Sequence, residues 1–273
     1  MTYVDYSVTR ISYGENEHQF GNLYVPKNDQ DDIFPLVVLI HGGFWRAQYD
    51  LEHIEPLAEA IVKEGFAVWN IEYNRVGHHG GAWPGTMTDC ADAVDYIHDL
   101  AKRYPVDVSR VIAMGHSAGG HLALWLGSRK RLPENSPLRT SDQPFPLKGI
   151  IALAPVTHLE MMYSIHYWEE KLFQSNDNPT MALMGGRPDR YKERYEQASP
   201  FHLLPIAIPT VLLHGKLDTN VPHYLSKLYE QEANRRGANV QLKSFPTLEH
   251  FALIHPYSEA WPTLLDVLEQ LSE

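Results

Sequence analysis

The chain has 273 residues, of which 44% are hydrophobic, and it carries a formal net charge of −11 at pH 7. This length and composition suit one α/β domain with a large core and argue against global disorder. The negative charge repels phosphate backbones, so nucleic acid is excluded as an expected partner. The single cysteine, Cys90, excludes an internal disulfide and is compatible with a reducing compartment.

Signals for export or membrane insertion are not expected in this sequence. Residues 1–5 show no basic start followed by an apolar run, as a signal peptide would. No stretch approaches the roughly 18 apolar residues that a membrane-spanning helix needs. We therefore expect a cytoplasmic protein without membrane contacts. The sequence does not decide between a monomer and a homodimer.

Strand-like and helix-like segments alternate along the chain, which predicts a largely parallel sheet flanked by helices. Strands are predicted at residues 4–26 (two strands with a turn near Gly14), 36–40, 66–73, 110–114, 148–154, 210–213 and 240–245. Helices are predicted at residues 57–64, 84–101, 118–126, 222–236 and 259–271. An acidic loop is predicted at residues 28–32.

Residues 156–200 break this alternation. The segment is too long for a simple connection and is rich in large side chains. We interpret it as a cap inserted over the end of the sheet, and an ordinary packed excursion is the alternative. The whole chain, residues 1–273, is expected to form a single domain.

Residues 115–119 read Gly-His-Ser-Ala-Gly and fit the pattern G-x-S-x-G. A predicted strand precedes them and a predicted helix follows, which is the strand–turn–helix setting that exposes a nucleophilic serine. The glycines allow a strained turn, and the helix N-terminus favours developing negative charge. We predict Ser117 as the nucleophile; the alternative is a structural turn whose serine caps the helix.

A second glycine-rich turn, His41-Gly42-Gly43, follows the strand predicted at residues 36–40. Such a turn upstream of a nucleophile supplies backbone N–H groups to an oxyanion. We predict donors from Gly43 and Phe44, assigned to within one residue, together with the N–H of Ala118. Taken alone, the turn is equally typical of any tight strand exit.

A serine hydroxyl needs a base and the base needs an orienting acid, in the chain order serine, acid, histidine. Asp218 lies in the loop after the strand at residues 210–213, at the sheet edge where ligands bind. His250 follows the strand at residues 240–245 and leaves the same edge. We predict Asp218 as the acid and His250 as the base. Asp218 could instead cap the following helix. His214, His223 or His255 are the alternative bases, and Glu249 is the alternative acid.

Metal-binding motifs are not evident in the sequence. His78 and His79 are adjacent, but H-E-x-x-H and paired C-x-x-C spacings do not occur. We therefore expect neither a metal nor a cofactor.

Together these motifs resemble the α/β-hydrolase superfamily over about residues 5–271. Residues 41–46, His-Gly-Gly-Phe-Trp-Arg, are similar to the esterase/lipase group that includes arylformamidases (kynurenine formamidases), and residues 72–75 are similar to a strand end there. Residues 198–200 resemble the cap exit of prolyl-oligopeptidase-like hydrolases. Phe44 departs from the third glycine common in the hormone-sensitive-lipase type. The resemblance implies an α/β-hydrolase fold, with a mostly parallel eight-stranded twisted sheet, helices on both faces and a small cap insertion.

The resemblance also implies hydrolysis of an ester or amide without a cofactor. We expect a serine hydrolase that cleaves a small carboxylic ester through an acyl-enzyme intermediate. An arylformamidase acting on N-formylkynurenine or a related aryl formamide is the alternative; a peptidase and a non-catalytic ligand-binding protein rank lower. Aromatic side chains suit a modest apolar pocket, although core packing explains them equally well. The candidate pocket residues are Trp45, Tyr73, Trp83, His116, Tyr167 and Trp168.

Overall fold

A computed structural model describes residues 5–27 and 32–273. The predictions for residues 1–4 and for most of the acidic loop at residues 28–32 therefore lie outside the described residues. Within the described ranges, no helix combines the length and the apolar character needed to cross a bilayer.

Eight strands form one sheet in the order β1-β2-β4-β3-β5-β6-β7-β8. The strands are β1 (Tyr6–Ser12), β2 (Phe20–Pro26), β3 (Phe34–Ile40), β4 (Ala67–Ile71), β5 (Val106–His116), β6 (Gly149–Leu153), β7 (Thr210–Gly215) and β8 (Val240–Phe245). The β1–β2 and β2–β4 pairs are antiparallel, and the other pairs are parallel. The expectation of a mostly parallel eight-stranded sheet is confirmed.

Helices cover both faces of this sheet. They are α1 (Glu55–Lys63), α2 (Gly85–Asp95), α3 (Ile97–Leu100), α4 (Ala118–Ser128), α5 (Leu159–Phe173), α6 (Pro179–Met184), α7 (Lys192–Ala198), α8 (His223–Arg235) and α9 (Trp261–Ser272). Because side chains alternate along a strand, Leu36 and Val38 of β3 join the core under α2, α4 and α8. Val37 and Leu39 join a second core under α1 and α9. The apolar run at residues 36–40 is explained by this two-sided burial.

Two predicted elements differ most from those observed, while the other bounds shift by one or two residues. The strand predicted at residues 110–114 is longer, because β5 pairs with Phe34 and Pro35 before a register shift brings Leu36 opposite Val111. The helix predicted at residues 84–101 is divided into α2 and α3 at Tyr96. The strand predicted at residues 240–245 coincides with β8.

Residues 156–200, called here the inserted segment, contain α5, α6 and α7. The segment is joined to the rest of the domain by hydrogen bonds from His121 Nε2 to the Ala198 carbonyl (3.0 Å) and from the Trp83 amide to the Leu183 carbonyl (2.8 Å). The ring of His166 in this segment makes a T-shaped contact with the ring of Phe44, with centroids 5.2 Å apart. Phe44 lies in the loop that follows β3. These contacts connect the segment to the carboxyl end of the sheet, and its action as a cap stays a prediction.

Candidate active site

Ser117 sits on a tight turn between β5 and α4, with φ of 56° and ψ of −117°. A side-chain-bearing residue adopts such a left-handed conformation only where its surroundings impose it. The Ser117 amide donates to the Leu153 carbonyl (2.8 Å), which anchors the turn to β6. The turn is also crowded, because a Cβ atom at Gly119 would lie 2.0 Å from the Ile40 carbonyl oxygen.

We expect Gly119→Ala to lower the free energy of unfolding by about 3 kcal/mol, because the methyl group would collide with rigid backbone. Urea denaturation of the two proteins measures the difference. Gly237→Ala is the matched control, since its φ is +85° but no atom lies within 4 Å of the added Cβ. It should cost only about 1 kcal/mol, and equal losses at the two positions would contradict the steric argument.

The loops after β7 and β8 bring Asp218 and His250 together. The Leu217 amide donates to the Leu248 carbonyl (3.1 Å), and Gly215 leaves no room for a side chain, since its Cβ would lie 2.1 Å from that same oxygen. The two loops therefore run side by side. His250 Nδ1–H donates to Asp218 Oδ2 at 2.6 Å, which leaves Nε2 as the free ring nitrogen.

The Asp218 carboxylate accepts four hydrogen bonds. Oδ2 accepts from His250 and from His214 Nε2 (3.1 Å), while Oδ1 accepts from the backbone amides of Asn220 (2.9 Å) and Val221 (2.8 Å). Burial raises the pKa of Asp218, but these donors outweigh burial and hold the pKa well below its ordinary value. Asp218 is therefore ionised and fixed in direction. The sequence suggested His214 only as a rival base, although its position four residues before Asp218 is visible there.

His116 lies in the turn at residues 115–119, called here the elbow, and supports His250 from the other side. Its Nε2–H donates to the His250 carbonyl oxygen (3.0 Å), and the two rings lie 4.5 Å apart. Burial, followed by the positive charge of a protonated His250, holds the pKa of His116 well below its ordinary value. A neutral His116 is thus a donor that holds the main chain at His250.

The turn after β3 has three successive residues in the left-handed region: Gly43 (φ 104°), Phe44 (φ 49°) and Trp45 (φ 57°). It passes against the elbow, because a Cβ at Gly42 would lie 2.9 Å from the carbonyl oxygen of His116. Across residues 5–27 and 32–273, no acceptor pairs with the backbone N–H groups of Gly43, Phe44 and Ala118. Gly43 and Phe44 are only partly buried and Ala118 is buried, so these unpaired N–H groups can donate to a bound oxygen.

A buried ionic cluster lies beneath this turn. The His41 ring stacks on Tyr73 with centroids 4.4 Å apart and meets Glu72 Oε1 through Nε2 at 3.0 Å. Arg75 Nη2 lies 3.1 Å from the same oxygen. Burial raises the pKa of Glu72, but the contacts with His41 and Arg75 outweigh it, so the net pKa is lowered. The Tyr73 hydroxyl donates to the His41 carbonyl (2.9 Å) and so supports the turn from below.

A cavity of about 110 Å³ opens between these loops. Among the predicted site residues, Gly43, Phe44, His116, Ser117 and His250 line it. The described residues show no hydrogen bond between the Ser117 hydroxyl and His250, although the two groups share the cavity wall. Sequence reasoning missed four further lining residues, for which no local motif gave a signal: Tyr49, His53, Asn220 and Phe251.

Most of the aromatic pocket candidates lie elsewhere. Trp45 and Tyr73 are fully buried in the core, and Trp83 is packed against the core beside the Arg194 guanidinium, 6.0 Å from its ring centroid. Tyr167 stacks on Tyr163 on α5. Trp168 is 69% exposed to solvent. Only His116 of the six pocket candidates lines the cavity at Ser117, because the other side chains are used in packing or point outward.

His121 on α4 connects the turn after β3 with the inserted segment. Its Nδ1 accepts from Trp45 Nε1 (3.2 Å), so the proton lies on Nε2 and is donated to the Ala198 carbonyl. Burial lowers the pKa of His121 to about 4, against the opposing hydrogen bond to Ala198. A second proton would also remove the acceptor that Trp45 needs.

The His121 pKa predicts that acid destabilises the protein. Between about 6.5, the ordinary value, and about 4, the unfolded state binds this proton and the folded state does not. The free energy of unfolding therefore falls as the pH falls, by about 1.4 kcal/mol per unit, or about 2 kcal/mol from pH 6.5 to 5. We expect His121→Gln to reduce the loss between pH 7 and 5 by that amount in urea denaturation. His98→Gln, at an exposed position on α3, should keep the wild-type slope, and an unchanged slope in both variants would reject the assignment.

Comparison with known proteins finds relatives that match most of this chain. Isoprenylcysteine alpha-carbonyl methylesterase ICME of Arabidopsis thaliana is 25% identical over 255 residues, which cover 88% of this chain and 55% of that protein. The chain spans about half the length or less of the first curated relatives that it matches. A truncated carbohydrate esterase from gut microbiota has a similar structure, with a TM-score of 0.81 at 20% identity, covering 99% of this chain and 97% of that chain.

Esterase B from Lactobacillus rhamnosis, in an inhibited form, gives a TM-score of 0.80 at 19% identity, covering all of this chain and 88% of that chain. At these identities the solved structures establish a shared α/β-hydrolase fold. The family profile named BD-FAE matches residues 22–232, well over half of the sequence. The chain therefore belongs to the BD-FAE family.

Proposed function

We propose that this protein is a serine hydrolase that cleaves small carboxylic esters through an acyl-enzyme intermediate. The observation that carries the proposal is His250, which is held by Asp218 at 2.6 Å and lines the same cavity as the strained Ser117. An oriented imidazole beside a serine hydroxyl is the arrangement that turns a weak nucleophile into a reactive one.

In the proposed mechanism, Ser117 Oγ attacks the ester carbonyl carbon while His250 Nε2 takes the hydroxyl proton. The tetrahedral oxyanion accepts hydrogen bonds from the amides of Gly43, Phe44 and Ala118. Collapse of this intermediate breaks the bond to the alcohol oxygen, which receives the proton from His250. Water, deprotonated by the same nitrogen, then attacks the acyl carbon and releases the acid and the free serine.

The relatives support an ester as the substrate class. ICME is named as a methylesterase, and the structural neighbours are described as a carbohydrate esterase and an esterase. The cavity of about 110 Å³ supports a short acyl group, because pockets for larger ligands run to several hundred Å³.

An aryl formamide is the second candidate substrate. The formyl group is the smallest acyl group, and the small cavity beside Phe44 favours it for the same reason that it favours acetate. The three catalytic groups proposed for an ester serve an activated amide equally well, with His250 protonating the leaving amine.

A substrate panel combined with active-site labelling tests both proposals. We expect a fluorophosphonate probe to label the protein once per chain at Ser117, and p-nitrophenyl acetate to give a burst of one product per site. Hydrolysis should decline from acetate to octanoate esters. Faster turnover of N-formylkynurenine than of any ester would favour the formamidase, whereas neither labelling nor turnover would indicate a ligand-binding protein with this fold.

A further inference from the structure

Three side chains outside the proposed catalytic residues converge at the base of the inserted segment. His158 precedes α5, Glu160 lies in the first turn of α5, and His202 follows α7. One nitrogen or oxygen atom of each lies within 4.8 Å of the others. The entrance and the exit of the segment therefore meet at two imidazoles and one carboxylate.

One of the two histidine–carboxylate contacts in this cluster is a hydrogen bond, and the other is not. His202 Nε2 lies 2.7 Å from Glu160 Oε1 in hydrogen-bonding geometry. His158 Nδ1 lies 3.1 Å from Glu160 Oε2, but the pair has no hydrogen-bonding geometry, and within the described residues neither buried atom has another hydrogen-bond partner. Buried polar atoms are nearly always satisfied in native proteins, so the His158 nitrogen and the Glu160 oxygen are candidate ligand atoms for a bound ion.

The dimensions and the donor types of the cluster fit a transition-metal ion. Ligands held at about 2.0–2.1 Å from a tetrahedral Zn²⁺ lie about 3.3 Å from one another. The His202 nitrogen lies 2.7 Å from Glu160 Oε1 and the His158 nitrogen 3.1 Å from Glu160 Oε2. All three ligand atoms lie within 4.8 Å of one another, so small side-chain rotations would bring them to these separations. Imidazole nitrogen suits Zn²⁺ and its neighbours in the transition series, whereas Ca²⁺ and Mg²⁺ prefer sites made of oxygen atoms alone.

The surroundings hold the three side chains at this junction. The Phe201 amide donates to the Thr157 carbonyl (3.0 Å), and the Leu159 amide donates to Ser199 Oγ (3.1 Å). The His158 ring stacks on Phe201 with centroids 4.5 Å apart. His202 is exposed, so an ion has a route from solvent.

We propose that His158, Glu160 and His202 bind one Zn²⁺ ion, with water at the fourth position, and that this ion clamps the base of the inserted segment. Closing a long loop with a metal stabilises the folded state, because the ion binds the assembled ligands and not the separated ones. The site is independent of the proposed esterase activity.

Zinc titration of the chelator-treated protein tests the site. We expect His202→Ala to bind one equivalent less than the wild type by isothermal calorimetry and elemental analysis. In the wild type, free Zn²⁺ at about 100 times its Kd should raise the Tm by about 5 °C, and this rise should disappear in His202→Ala. His98→Ala, an exposed histidine on α3, is the matched control and should keep both the stoichiometry and the shift.

Glu160→Gln provides a second, isosteric test that does not depend on the histidine variant. It should weaken Zn²⁺ binding by about 100-fold or more, since a negatively charged ligand is lost. Hydrogen exchange should show zinc-dependent protection at residues 158–160 and 200–203 in the wild type alone. Equal stoichiometry and equal thermal shifts in wild type, His202→Ala and Glu160→Gln would overturn the proposal.

Discussion

Replacing Ser117 by alanine is expected to lower kcat for ester hydrolysis by about 10⁶-fold while the fold is retained. The substitution removes the only atom proposed to attack the substrate. The anchoring bond from residue 117 to the Leu153 carbonyl comes from the backbone and survives the change. The free energy of unfolding should therefore stay within about 1 kcal/mol of the wild type. Initial rates with p-nitrophenyl acetate and urea denaturation measure the two quantities.

Ser128→Ala is the matched control for this prediction. Ser128 is another buried serine, at the end of α4, and its hydroxyl donates to the Leu124 carbonyl (2.9 Å). Losing that bond should cost about 1 kcal/mol of stability and leave kcat unchanged. If Ser117→Ala kept more than about one hundredth of the wild-type kcat, the covalent mechanism would be rejected.

Asp218→Asn is expected to lower kcat by about 10⁴-fold at neutral pH, through the tautomer of His250. An asparagine amide facing His250 would donate to Nδ1 and move the ring proton to Nε2, where it blocks proton transfer from Ser117. The opposite orientation is no better, because the NH₂ group would then face the backbone N–H groups of Asn220 and Val221. Both orientations lose two of the four hydrogen bonds that the carboxylate accepts.

Steady-state kinetics and denaturation separate this effect from general instability. Asp89→Asn is the control, since Asp89 is also buried and accepts hydrogen bonds from Gln19 and from the amide and side chain of Asn74, away from the cavity. It should lose stability without losing kcat. If kcat of Asp218→Asn fell by less than about tenfold, another group would have to orient His250.

The fold and the catalytic candidates were predictable because their signals are local in the sequence. Strands buried on both faces are continuous apolar runs, as at β3, and the elbow is a contiguous motif. Asp218 and His250 could be chosen because loops leaving parallel strands meet at one edge of the sheet.

The walls of the cavity were not predictable in the same way. An aromatic residue after a strand can line a pocket or pack in the core. The backbone dihedral angles determine which way its side chain points, and the sequence does not show them. The left-handed conformation of Trp45 accompanies a side chain that is buried in the core and donates to His121. The proposed zinc ligands escaped detection because Glu160 and His202 are 42 residues apart, so no short motif joins them.

The left-handed turn at residues 43–45 also has a consequence for protein engineering. Phe44 and Trp45 each hold a conformation that costs an ordinary residue about 1 kcal/mol, and their burial and ring contacts offset it. Glycine at either position would relieve the backbone but release the ring that fixes the direction of the neighbouring amides. Thermostabilisation should therefore leave this turn unchanged, because relieving its backbone would also loosen the amides that are proposed to face the reacting carbonyl.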